Sequence, residues 1–285
     1  MKTKWGATIP TTPRADEGKI VDCYAHVSRR KYQPVERLVE EMDRAGIDAA
    51  VLVQPLDDLD NGHLFEALTL YAGRFKAVGM VDTHSADGPR RISELVERGG
   101  LSGIRATAGF LAEWGSVGAL ADANGVLLTH LPQGISPHLK KLVSIAERFP
   151  SLRIFVPHLG WPEVNRAPAL RWKETLSTLS SYPQISVGIS GLHYYSETPP
   201  PHEDTWSLID SVLKQFGPER CMCGSDFPLL LETDRYQDYF APLCSQAFGM
   251  DLSARNMVLG GAAIKFWGFG RKRGPEESYS ASVET

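Results

Sequence analysis

The chain has 285 residues, 34 acidic against 30 basic, a formal net charge of -4 and 42% hydrophobic residues. That length allows one large α/β domain or two ordinary ones, and the slight acidity argues against a nucleic-acid partner, whose binding domains carry a basic excess. No window approaches the roughly 18 apolar residues of a membrane span, and the N-terminus MKTKWGATIPTTPRADEGK lacks the apolar core of a secretory signal, so a cytoplasmic protein without membrane contact is expected.

Residues 1–18 carry Thr, Pro and Gly without periodicity and read as a flexible arm; residues 271–285, polar throughout, read as a flexible tail. Between them, over 19–270, short β-branched runs alternate with helical stretches. The runs are KIVDCYAH (19–26), IDAAVLVQ (47–54), FKAVGMVD (75–82), LSGIRAT (101–107), GVLLTHL (125–131), LRIFVPHLG (152–160), QISVGISGL (184–192) and RCMCGSDFP (220–228). Between the first two runs, PVERLVEEMDRAG (34–46) sets Leu38, Met42 and Ala45 on one helical face, with Gly46 as its stop. The segments 87–100 and 136–150 repeat the form. Strand–helix alternation with buried strands implies a parallel sheet, and eight units in one domain predict a single (β/α)8 TIM barrel. An open doubly wound sheet is the alternative, but no Gly-x-Gly-x-x-Gly follows the first run. Cys23, Cys221, Cys223 and Cys244 include no C-x-x-C pair and are expected to be small buried hydrophobes.

Function in such a barrel sits at the C-terminal ends of the strands, and here those ends are polar. In chain order they supply Tyr24 and His26, Gln54, Asp82, Arg105, His130, His158, Ser190 with His193 and Tyr194 just beyond, and Asp226. Asp22, Tyr24 and His26 are spaced by two, and strand alternation sends them to one side. A lone buried histidine is usually a satisfied core residue. His26, His130 and His158 all fall at one rim, which favours a site. His63, His84, His138 and His202 fall in loops or helix starts and are expected at the surface.

VDCYAH, LLTHLP, VPHLGWP and CGSDFP resemble, in order, the landmarks of the amidohydrolase superfamily. The branch is the one with 2-pyrone-4,6-dicarboxylate lactonase and the carboxymuconate-semialdehyde decarboxylases, and the resemblance runs from about residue 19 to 269. It implies a metal-dependent pattern of His-x-His on the first strand, one His on each of the fifth and sixth, and Asp on the eighth. These positions are Tyr24 and His26, His130, His158 and Asp226 here. Tyr24 therefore stands where the first His of the pair is expected. A phenol with a pKa near 10 is a poor ligand until it loses its proton, whereas zinc favours imidazole, thiolate and carboxylate. The expectation is chemistry without a cofactor, as in some lactonases of this branch. The alternative is one divalent ion, zinc or manganese, on His26, His130 and Asp226.

The resemblance implies a hydrolase opening a lactone, ester or amide of a small carboxylated or aromatic metabolite. Asp226 would be the general base, with Tyr24, His26, His130 and His158 completing the catalytic set. Arg105 would pair with a substrate carboxylate, helped by Arg29, Arg30 and Arg166 from the loops. Gln54, Ser190, His193 and Tyr194 would complete substrate binding. A metal-dependent decarboxylase and an inactive ligand-binding barrel are the other readings. A small-molecule substrate is the expected partner, and a homo-oligomer is open.

Overall fold

In the computed structural model the described residues are 18–82, 85–162, 169–244 and 248–270. The expected tail, all of the arm except Gly18, and the loop residues His84 and Arg166 lie outside them. Eight strands form one sheet in sequence order: β1 (Val21–Ala25), β2 (Ala49–Val53), β3 (Phe75–Gly79), β4 (Gly103–Ala106), β5 (Val126–Thr129), β6 (Arg153–Val156), β7 (Ile185–Ile189) and β8 (Cys221–Cys223). All seven ladders are parallel. A bridge between Ala25 and Phe227 brings β8 back to β1, which makes the expected barrel.

Helices fill the connections. Val35–Ala45 begins after Pro34, buries Leu38 and Met42 one turn apart, and ends at Gly46 with φ 70°. Each of those two buried side chains stabilises the helix–sheet contact by about 1.5–3 kcal/mol. The expected stretch 136–150 forms a helix over Leu139–Arg148. The stretch 87–100 starts as a helix at Gly88 and widens into a π turn over Glu94–Arg98. Inside the barrel Val51, Val53, Val78, Leu128, Phe155 and Met222 fill the axis, and Trp267, from the closing helix Ala262–Trp267, packs against them. Cys23, Cys221 and Cys223 are buried free thiols. No helix among the described residues is long and apolar enough to cross a membrane.

One expectation fails at β1. The register pairs Asp22 with Ala50 but Ala25 with Leu52, so three steps on β1 match two on β2. Such a bulge inserts one residue and breaks the alternation. Tyr24 joins the interior, where His26 also meets the site, while Asp22 turns away toward β8 and Tyr236. Its Oδ1 accepts from the backbone N–H groups of Tyr24 (3.1 Å) and Ser225 (2.8 Å). Its Oδ2 accepts from the hydroxyls of Ser225 (2.5 Å) and Tyr236 (2.8 Å).

Asp22→Ala would leave four buried donors without an acceptor. At about 1–3 kcal/mol for each unsatisfied group, partly relieved by relaxation, the expected loss is at least about 3 kcal/mol by urea unfolding. A loss below about 1 kcal/mol would show that β1 and β8 hold together without this carboxylate.

Candidate active site

The barrel brings Tyr24, His26, Arg105, His130, His158, His193 and Asp226 together, from six of its eight strand ends. Asp226 lies between two imidazoles, its Oδ1 3.6 Å from His26 Nε2 and its Oδ2 3.6 Å from His193 Nε2. The Tyr24 ring meets His26 and His158 edge-on, at centroid distances of 5.1 and 4.5 Å. The eighth-strand loop is set by backbone bonds across the seam: Asp226 N–H donates to Tyr24 O (2.7 Å) and His26 N–H to Phe227 O (2.6 Å). Asp226 itself sits at φ 62°, a left-handed conformation rare outside glycine and strained for this side chain.

Partners fix the tautomers of His26 and His130. His26 faces the Val53 carbonyl through Nδ1 at 2.6 Å, so in the neutral ring Nδ1 carries the proton and Nε2 presents a lone pair to Asp226. Arg105 Nη2 lies 3.0 Å from His130 Nδ1. A guanidinium can only donate, so His130 accepts there and keeps its proton on Nε2. His158 shares a 3.0 Å hydrogen bond through Nδ1 with Ser190 Oγ, which also accepts from the His158 backbone N–H at 2.9 Å. Burial and the nearby Arg105 charge hold His26 well below the ordinary histidine range and His130 at about 3. His158 is driven down by burial and then by the neighbouring His26 and Arg105. His193 is lowered by burial to about 4, against the pull of Asp234. All four are neutral near pH 7.

The acids and phenols move the other way. Burial pushes Asp226 up to about 7, opposed by the Tyr194 hydroxyl and Arg105 and reinforced by Asp22. Neither Asp226 oxygen has a partner in good hydrogen-bond geometry; the Tyr194 hydroxyl and the two imidazoles stand near it but outside that geometry. Burial raises the Tyr24 phenol well above its usual value, so it keeps its proton. Its hydroxyl, Arg105 Nε, Trp161 Nε1 and both His193 nitrogens are also buried without partners.

The remaining candidates occupy other places. Gln54 donates through Nε2 to the carbonyls of Asp58 (2.9 Å) and Asp60 (3.1 Å), its Oε1 is buried without a partner, and its backbone oxygen accepts from Arg105 Nη1 at 2.7 Å. Ser190 serves His158. Tyr194 stacks on Trp161 at 5.6 Å and over His193 at 4.2 Å. Arg29 is exposed and faces Glu36 at 3.5 Å, and Arg30 is exposed. Asp82 lines a separate cleft with Asn61 and Arg91. His63 and His138 are half-buried rather than exposed. His202 overturns its surface expectation: it is 4% exposed, with Nε2 2.9 Å from Asp234 Oδ2 and Nδ1 3.0 Å from Thr198 O. Its loop folds back onto the loop after β8, which no local pattern announces. Sequence reasoning also missed Tyr32, stacked on His26 at 5.2 Å, because a tyrosine in a polar loop carries no signal of its own.

A divalent ion does not fit this donor set as it stands. Among the described residues no three His, Cys, Asp or Glu side chains group closely enough to hold one. His130 presents an N–H rather than a lone pair, the phenol is protonated, and a buried guanidinium stands beside them.

The shift at Asp226 has a consequence for stability. The folded state keeps a proton that the unfolded chain releases above about 3.8, so stability falls as pH rises from about 4 to about 7 and levels off above that. Asp226→Asn loses no hydrogen bond of good geometry and no longer titrates. Its advantage over the native chain should grow across that window to about 2–4 kcal/mol at pH 8. Unfolding at pH 5 and pH 8 measures it, and a gap that does not change with pH would mean an ordinary carboxylate.

Comparison with known proteins gives the family and the fold. The amidohydrolase family model matches residues 13–269. An L-fucono-1,5-lactonase of Burkholderia ambifaria is 30% identical over 251 residues, covering 82% of this chain and 85% of that protein. Among solved structures, an amidohydrolase of Burkholderia multivorans with bound zinc superposes with a TM-score of 0.74 at 20% identity, covering 88% of this chain and all of the other. A Pseudomonas putida protein named for 2-pyrone-4,6-dicarboxylic acid hydrolysis gives 0.74 at 22%, covering 89% and 99%. The chain belongs to the amidohydrolase family.

Proposed function

We propose that this protein hydrolyses a lactone, a neutral hydroxylated six-membered ring of the sugar-acid type, without a metal ion. The observation that carries the reading is Asp226, a buried carboxylate raised to about 7, with neither oxygen in good hydrogen-bond geometry, set among neutral imidazoles and a protonated phenol. A general base works best when its pKa lies near the working pH. The lactonase relative supports the substrate type. Arg105 spends one N–H of each Nη on Gln54 O and His130 Nδ1 and keeps Nε–H unpartnered, so it can still donate to a substrate oxygen.

In this mechanism Asp226 takes a proton from water while His26 Nε2 accepts the water's second hydrogen. The water oxygen adds to the carbonyl carbon, and the π pair moves to the carbonyl oxygen. Tyr24 O–H and His130 Nε2–H donate to that oxyanion. Collapse restores the carbonyl and breaks the bond to the ring oxygen. The departing alkoxide takes the proton back from Asp226, giving an open-chain hydroxy acid.

The test is turnover of a lactone panel by purified protein before and after chelation. Chelation should leave the rate unchanged, and activity lost with the metal would overturn the metal-free mechanism while leaving the hydrolase. Asp226→Asn should lower kcat by at least about a hundredfold. Tyr24→Phe, which removes one oxyanion donor, should lower it by about ten- to a thousandfold. The rate should rise tenfold per pH unit below about 7 and flatten above it, as Asp226 ionises. A Tyr24→Phe enzyme with native kcat would take the phenol out of the oxyanion site.

A further inference from the structure

Four consecutive residues after β6 are left-handed: His158 (φ 54°), Leu159 (56°), Gly160 (75°) and Trp161 (53°). The turn is hydrogen-bonded, Gly160 N–H to Pro157 O at 3.0 Å and Trp161 N–H to His158 O at 2.8 Å. For each of the three residues other than glycine this conformation costs about 1–2 kcal/mol. Three side chains from outside the turn hold it. Ser190 Oγ accepts from His158 N–H, Tyr195 Oη donates to His158 O at 3.1 Å, and Trp172 Nε1 donates to Leu159 O at 2.9 Å.

What this strained turn delivers is the Trp161 ring. It stands edge-on to His158 at 4.6 Å and to His130 at 5.8 Å, and its outer face is stacked by Tyr194. The indole nitrogen is buried and unpartnered. Trp172 and Trp206 each donate to a backbone carbonyl, at 2.9 and 3.2 Å, whereas Trp267, packed in the barrel interior, is unpartnered like Trp161 but stands against Phe155 rather than among the site histidines. A buried indole N–H normally finds an acceptor, and leaving one unmet costs about 1–3 kcal/mol. Local strain that persists beside an unmet donor at a reaction site points to a ligand.

We infer that Trp161 is the specificity-determining residue of this site, its indole N–H donating to a hydroxyl or ring oxygen of the substrate, so that hydroxylated lactones are preferred to unsubstituted ones. The inference rests on the lactone reading and adds the group that recognises the oxygen pattern of the ring. Trp161→Phe keeps the aromatic wall and removes only the donor.

The experiment uses two non-hydrolysable probes, D-glucono-δ-lactam and δ-valerolactam, with calorimetric binding to the native protein and to W161F. The native protein should prefer the hydroxylated lactam. W161F should bind it about tenfold more weakly and bind valerolactam within twofold of native. Equal binding of the hydroxylated lactam by both proteins overturns the inference, as does a native protein that does not prefer it. Turnover of the two matching lactones separates the two readings. An unchanged KM for gluconolactone in W161F strikes this inference alone. Tryptophan-dependent lactam binding without any lactone turnover strikes the hydrolase reading alone. Should W161F fail to fold, 15N-tryptophan labelling of the native protein decides: gluconolactam should shift one indole N–H resonance that valerolactam leaves in place, and no shift overturns the inference.

Discussion

Where β8 meets β1, the sheet closes through one bridge, Ala25 with Phe227, rather than a full ladder. The Asp22 carboxylate occupies that seam and accepts from two backbone N–H groups and two hydroxyls. These contacts favour the charged carboxylate, while burial works against it and holds its pKa above the ordinary value. The consequence is positional first. Tyr24 and Ser225 are tied to the same carboxylate, and Ser225 precedes Asp226, so phenol and base share one anchor. It is also electrostatic, because the buried negative charge of Asp22 adds to burial in holding Asp226 high.

A second charge sets the states of the rings. Arg105 is 5% exposed and cannot give up its proton. Its field disfavours further positive charge, and burial of His26, His130 and His158 acts in the same direction. The result is a pocket of neutral imidazoles, two of which have their tautomers chosen by the partner at Nδ1: the Val53 carbonyl for His26 and the guanidinium for His130. A lone pair beside Asp226 and an N–H across from it follow from those two contacts. Under the proposed mechanism the first orients water and the second meets the oxyanion.

The barrel was legible because polar residues ended runs that were otherwise β-branched, and eight such runs leave few architectures. The rim histidines and Asp226 were legible as candidates because they recur at one rim, where a single buried imidazole would have counted for little. Asp22 was misplaced because alternation assumes an unbroken ladder. The bulge between Asp22 and Ala25 depends on pairing with β2, which one strand's residues do not reveal. The part Gln54 plays in holding Arg105 through its backbone oxygen was likewise hidden, because a backbone contact leaves no trace in residue type. His202 and Trp161 depend on loop returns and a left-handed turn, where long-range contacts overrule local preference. The tautomers lay further out of reach, because they are set by partners distant in sequence such as the Val53 carbonyl and Arg105.

Tyr24 shows why a phenol suits this position under the proposed mechanism. An imidazole there, buried beside Arg105, would be neutral and would offer one N–H and one lone pair. Which of the two faced the substrate would depend on a further partner. A phenol has a single proton, and burial raises its pKa, so it presents O–H throughout the range in which Asp226 titrates. Its edge-on contacts with His26 and His158 restrict the ring, and the bulge in β1 aims it. Donor and base then answer to different conditions: the donor is constant with pH, and the base switches on as pH approaches 7. A hydrolase that activates water with a carboxylate and steadies an oxyanion with neutral donors needs that separation. In this fold it comes from exchanging one ring for another at the end of the first strand.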